Sequence, residues 1–173
     1  PSIILYQMLI MSLTYHDSSF NIETASILES IIMYTSFLVA VFSGIRLARF
    51  TISTNSDSDK NYFYGLPTPA AAILIASIGL ILVETENVEL QDLVLNTYFL
   101  VILVILLSLL MVSDLRLFSL KFSTFSFRKN VTRYIFLIIS IILIVVFQVF
   151  AVPAIFFIYI FMSLLQNWNA LPD

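Results

Sequence analysis

Along this chain, long apolar blocks alternate with short polar interruptions. After an opening block, Pro1–Tyr15, come Ile27–Ile45, Leu66–Val83, Leu93–Ser113, Tyr134–Phe150 and Ala151–Leu165. Blocks of this kind match the roughly 20 mostly apolar residues that a helix needs to cross a bilayer. The pattern predicts one truncated and five full transmembrane helices. The last two blocks join in one apolar run from 134 to 165, 32 residues long. As a single helix that run would rise about 48 Å at 1.5 Å per residue, well past a hydrocarbon core of about 30 Å. Pro153 stands near the middle, and proline removes a helix hydrogen bond and crowds the preceding turn. A tight helical hairpin is therefore expected.

Composition agrees with the pattern. Apolar residues make up 60% of the chain, charged residues 11%, and the mean hydropathy is +1.02. A soluble domain has about 45–50% apolar and about 25% charged residues, so this chain lacks the polar surface to face water. The expected fold class is all-α: a polytopic transmembrane helical bundle forming a single membrane domain over residues 1–173. The absence of cysteine excludes disulfides, thiolate zinc sites and catalytic thiols. One histidine leaves no His-based metal cluster, and eight Lys+Arg in a net charge of −3 do not make the basic face that nucleic-acid binding requires. The opening is Pro1 with no basic stretch before the apolar block, unlike a signal peptide. It reads as the remainder of a helix, and the chain as the C-terminal part of a larger bundle.

Charge sets an orientation. The segments 15–26 and 84–92 carry Asp17, Glu23, Glu84, Glu86, Glu89 and Asp92 and no Lys or Arg. All eight basic residues, Arg46, Arg49, Lys60, Arg116, Lys121, Arg128, Lys129 and Arg133, fall in the two alternate regions. Cytoplasmic loops are the ones enriched in Lys and Arg, so the basic ends are expected to face the cytoplasm. Small residues recur at fourfold spacing, as Ala40, Gly44 and Ala48 and again as Ala72 and Ala76. Such stripes let helices approach closely in lipid, which marks these two helices as interior. Leu93–Ser113 and Tyr134–Phe150, apolar on every face, are expected to face lipid.

Two stretches carry candidate chemistry. In Ser43-Gly44-Ile45-Arg46-Leu47-Ala48-Arg49-Phe50 the arginines are three apart and share a helix face. They can clamp a phosphate or carboxylate, or act as snorkelling anchors. In Phe63-Tyr64-Gly65-Leu66-Pro67-Thr68-Pro69-Ala70-Ala71-Ala72, Thr68 followed by Pro69 reads as an N-cap with proline at the first helical position. That helix start can bind an anion or serve as plain punctuation, with Gly65 allowing close approach of a ligand or a neighbouring helix. Asp57 and Asp59 read as solvated turn residues, His16 as interfacial, Glu29 as a helix-dipole partner, and Lys121, Arg128 and Lys129 as headgroup-facing anchors. No apolar block carries an ionisable residue at its middle, which argues against a proton-coupled transporter or ion channel.

Arg46-Leu47-Ala48-Arg49-Phe50, a polar segment with Lys60, and then Gly65-Leu66-Pro67-Thr68-Pro69-Ala70-Ala71-Ala72 together resemble the bacterial CDP-diacylglycerol–serine O-phosphatidyltransferases, a branch of the CDP-alcohol phosphatidyltransferases. Met111-Val112-Ser113 and Ser119-Leu120-Lys121 are similar to the same branch. Thr51 stands where that family often has asparagine, and Thr68 where it often has serine. The resemblance implies transfer of a phosphatidyl group from CDP-diacylglycerol to L-serine with release of CMP, in a bacterial inner membrane with a cytoplasmic mouth. It implies Arg46, Arg49, Lys60, Gly65, Pro67, Thr68 and Pro69 as substrate-binding positions. It also implies a divalent metal, Mg2+ or Mn2+, whose aspartate ligands belong to a family motif absent from this chain. Residues 1–173 alone are therefore expected to be inactive, with no catalytic or metal-binding residue among them. Expected partners are CDP-diacylglycerol, L-serine, membrane lipids and a second copy in a homodimer, with no nucleic acid. A sister branch using another alcohol acceptor, and a non-enzymatic transporter or anchor subunit, remain the alternatives.

Overall fold

The computed structural model describes residues 1–18, 20–53, 62–118 and 131–168. Eight helices and two short strands follow one another: α1 (Ser2–His16), α2 (Ile27–Thr35), α3 (Leu38–Ser53), β1 (Tyr62–Tyr64), α4 (Thr68–Glu84), α5 (Val88–Val94), α6 (Thr97–Val112), β2 (Arg116–Phe118), α7 (Val131–Phe147) and α8 (Ala151–Trp168). Apart from one three-residue antiparallel ladder, pairing Tyr62 with Phe118 and Tyr64 with Arg116, the architecture is all-α. Ile27–Thr51 and Val131–Leu165 are long and apolar enough to cross a membrane, and α5 with α6, bent by 51°, makes a third such stretch.

The helix starts follow local chemistry. Ser26 and Glu29 form a reciprocal capping box at α2, satisfying two backbone N–H groups that a helix start leaves open. This gives Glu29 its place. Asn87 and Asn96 cap α5 and α6 through their side-chain oxygens.

The stretch 131–165 folds back on itself. The rings of Phe136 and Tyr159 lie 5.8 Å apart, whereas 23 residues of continuous helix would separate them by about 35 Å. The expected hairpin is present, but Pro153 is not its hinge. The chain reverses at Gln148–Phe150, a single 3-10 turn in which Gln148 takes a left-handed φ of 49°. Pro153 sits in the first turn of α8, where its missing N–H would have no intrahelical partner anyway.

Helix α6 is central on one face and exposed on the other, where Tyr98, Ile102, Ile105, Leu106 and Leu109 form the apolar surface expected of a lipid-facing helix. Leu100, Leu103, Val104, Leu107, Ser108 and Met111 are buried, and α6 packs along both α3 and α1. An evenly apolar helix has no face that marks its neighbour, so its place was open until the other helices were in position. The small-residue stripe of α3 is likewise not a contact: Ala40, Gly44 and Ala48 are exposed, and nothing approaches Gly44 within 4 Å of a notional Cβ. Helix α4 is interior as expected, but through Ala71, Leu74, Ile75, Ile78 and Ile81. Gly79 lies against Ile4 and Met8 of α1, while Ala76 is exposed. Helix α7 buries only Phe136 and Ser140, in keeping with a lipid-facing helix.

The two ends of the bundle differ in charge. At one end Tyr15 donates to Asp92, and Ser12 meets Thr97 at 2.6 Å, joining the two acidic segments. At the other, the β1–β2 ladder and an Arg49–Asp114 pair at 3.5 Å join the two basic ones.

Candidate functional site

The arginine helix and the Gly-Leu-Pro turn, separate in sequence, meet at the C-terminal end of α6. A helix end leaves its last carbonyls without intrahelical partners. Here Leu66 N donates to Leu110 O at 2.9 Å, Gly65 N to Leu115 O at 2.9 Å, and Arg49 Nη1 to Val112 O at 2.7 Å. A cation at a helix C-terminus also faces the negative end of the helix dipole. Gly65 is required twice over. Its φ is +71°, and a Cβ there would collide with the Met111 carbonyl oxygen and lie 3.0 Å from that of Ser113. Of the two uses open to Gly65, close approach to a neighbouring helix is the one seen.

Thr68 does not cap α4. The N-cap is Pro67, and the helix runs from Thr68 with Pro69 in its first turn. The Pro67 carbonyl accepts from Ala70 N and Ala71 N. The Thr68 hydroxyl instead meets Ser43 Oγ at 3.1 Å, tying α4's first turn to α3 one turn before Arg46. Proline at 67 and 69 gives the turn its extended entry, with Pro67 at φ −61° and ψ 131°.

The two arginines part company. Arg49, with its side chain 57% exposed, is held by Val112 and Asp114. Arg46 turns inward on the face of α3 that carries the buried Val39, seven residues before it. Its Nε is buried and has no hydrogen-bond partner among the described residues. Tyr159 of α8, 9% exposed, stands within electrostatic reach of Arg46. Tyr159 was not singled out from sequence, because only the hairpin brings it back to α3. Lys60 lies outside the described residues, as do Asp57, Asp59, Lys121, Arg128 and Lys129. Among the described residues no three His, Asp or Glu side chains come together as a metal site.

This is a helical membrane protein with a polar, arginine-bearing site at the basic end of its bundle. Over 85 residues it is 42% identical to the CDP-diacylglycerol–serine O-phosphatidyltransferases of Helicobacter pylori strains 26695 and J99, a match covering 49% of this chain and 33% of each of those proteins. The chain thus spans about a third of the length of the curated relatives it matches. No family model matches it.

Proposed function

We propose that the native polypeptide containing residues 1–173 is a membrane transferase of phospholipid biosynthesis. In this reading it moves the phosphatidyl group of CDP-diacylglycerol to the hydroxyl of L-serine, with CMP leaving. The observation that carries this reading is the inward Arg46, whose buried Nε has no partner among the described residues, on a motif that resembles that of phosphatidylserine synthases. A buried guanidinium N–H without a hydrogen-bond partner is costly inside a bundle and suits a ligand that brings its own negative charge. Both substrates do, as a pyrophosphate and as a carboxylate. The partial identity to the Helicobacter pylori enzymes supports the same reading.

In this reading Arg46 binds an anionic substrate group through its planar fork. Arg49, fixed at the end of α6, adds positive charge at the mouth, together with Lys60. Gly65, Pro67, Thr68 and Pro69 hold the mouth's shape by anchoring α4 to α3 and α6. The mouth faces the cytoplasm of a bacterial inner membrane, since the basic segments share that end.

The test is direct. Membranes containing the native polypeptide are incubated with CDP-diacylglycerol and labelled L-serine, and lipid products are separated. Labelled phosphatidylserine with stoichiometric CMP is the expected result. CMP release with glycerol phosphate or inositol phosphate but not serine would assign a sister branch. No transfer to any alcohol would overturn the enzyme reading.

A further inference from the structure

The membrane span Ile27–Thr51 is not one continuous helix: α2 ends at Thr35 and α3 begins at Leu38. No glycine or proline lies between residues 27 and 43, so the usual breakers are missing. Two adjacent hydroxyls make the break. Thr35 Oγ1 donates to Ile32 O at 2.6 Å, and Ser36 Oγ to Met33 O at 2.8 Å. In an unbroken helix those carbonyls would accept the N–H groups of Ser36 and Phe37. Instead Ser36 N donates to Met33 O at 3.4 Å and Phe37 N to Tyr34 O at 3.1 Å, each one residue short. The Phe37 carbonyl then accepts from Ala40 and Val41 and opens α3. A single such hydroxyl does not interrupt a helix. Ser77 on Leu74, Ser140 on Phe136 and Thr14 on Ile10 leave α4, α7 and α1 continuous.

The span changes neighbour at the break. Before it, α2 packs chiefly on α1, with Tyr34 stacked on Tyr6 at 6.1 Å. After it, α3 packs chiefly along α6. The contacts of α3 are those that build the candidate site: Ser43 Oγ meets Thr68 Oγ1 at 3.1 Å, and Arg49 reaches Val112. Arg46 stands nine residues past Phe37, about 14 Å along the helix axis. Over that arm, a change of about 10° in direction at the break displaces Arg46 by about 2 Å, the difference between a hydrogen bond and none.

A hydroxyl that takes a helix carbonyl competes with the backbone for it and bends the helix, and two in succession displace two N–H groups. We infer that Thr35 and Ser36 are positioning residues for Arg46. Their paired hydroxyls turn the span from α1 onto α6, and that turn sets where the guanidinium stands. The consequence for a substrate rests on the transferase reading; the consequence for the path of α3 does not.

Thr35→Val with Ser36→Ala removes both hydroxyls at little change in volume, whereas Thr35→Ser with Ser36→Thr keeps them. Each pair is made in the native polypeptide, purified in nanodiscs. Residues 1–173 contain no cysteine, so Ser43→Cys with Thr68→Cys reports where α3 lies. Their disulfide is read as a chain that stays whole after cleavage between the two positions. Without the hydroxyls the disulfide should form about tenfold more slowly, because it needs its Cα atoms within about 7 Å. The hydroxyl-bearing swap should restore the wild-type rate. Kinetics, measured without the cysteines, should show KM for L-serine or CDP-diacylglycerol raised about tenfold with kcat little changed, the scale of one hydrogen bond to a charged group. An unchanged oxidation rate overturns the inference whatever the kinetics, as does slowed oxidation that the hydroxyl-bearing swap fails to restore. Unchanged KM for both substrates in an active protein overturns the role toward Arg46. Should the wild type form no phosphatidylserine, the oxidation rates alone decide. Should the hydroxyl-free double variant fail to fold, Ser36→Ala alone is scored in the same way, since one hydroxyl leaves a helix unbroken.

Discussion

Arg49 donates from Nη1 to the carbonyl oxygen of Val112 at 2.7 Å, so a residue of the arginine motif closes the end of a helix 63 positions further along the chain. Together with the Leu66 N–H on Leu110 it satisfies carbonyls in the last turn of α6, while the Gly65 N–H holds Leu115 just beyond that helix. The same motif thus supplies one arginine that closes the end of α6 and one whose Nε is buried without a partner among the described residues.

Replacing Arg49 by alanine should remove the end contact and the dipole interaction. For so exposed a group this is worth about 1 kcal/mol, a fall in melting temperature of about 2–4 °C for a chain of this size. Gly65→Ala should do more damage, about 2 kcal/mol or beyond, because it forces a side chain into a left-handed backbone against the Met111 carbonyl. Thermal unfolding of the two variants side by side checks the order. A Gly65→Ala protein as stable as wild type would contradict the packing described.

Arg46→Lys should leave the melting temperature close to wild type and lower kcat/KM about tenfold or more, because lysine keeps the charge but loses the planar fork. Tyr159→Phe keeps the ring against Phe136 and removes only the hydroxyl within electrostatic reach of Arg46. A smaller loss, confined to KM, is expected. Steady-state kinetics on both variants separates the two effects, and full activity in Arg46→Lys would remove the arginine from the substrate site.

The fold-back of α7 on α8 has a clean chemical test, since the chain contains no cysteine. Phe136→Cys combined with Tyr159→Cys should be joined by a short bis-maleimide linker in membranes, giving a fragment that stays whole after cleavage between the two positions. One continuous helix would hold the two sites about 35 Å apart and yield no link.

Orientation can be read from accessibility. Cysteines introduced singly at Glu86 and at the exposed Asp114 should react with a membrane-impermeant maleimide from opposite sides, with Asp114→Cys protected in intact cells. Labelling of both from one side would contradict the charge-derived topology.

Sequence alone determined that this is a helical membrane protein. It also determined roughly where its helices lie and that its acidic and basic segments gather at opposite ends. Lipid imposes those features one segment at a time: a helix must be long and apolar enough to cross, and Lys and Arg are biased to one side. The hairpin after residue 131 was legible for the same reason, because a 32-residue apolar run is too long for one crossing. Only the tertiary structure decided which helix is central. Leucine and isoleucine cover α6 evenly, and in lipid the choice of partner rests on shape rather than on polarity. Small residues permit close approach without compelling it, so Ala40, Gly44 and Ala48 stayed exposed while Gly65 took the tight contact. The division of labour between Arg46 and Arg49 was equally hidden. Three residues apart on one helix, they differ only in what the rest of the bundle sets beside them: the open end of α6 for one, and a place within electrostatic reach of Tyr159 for the other.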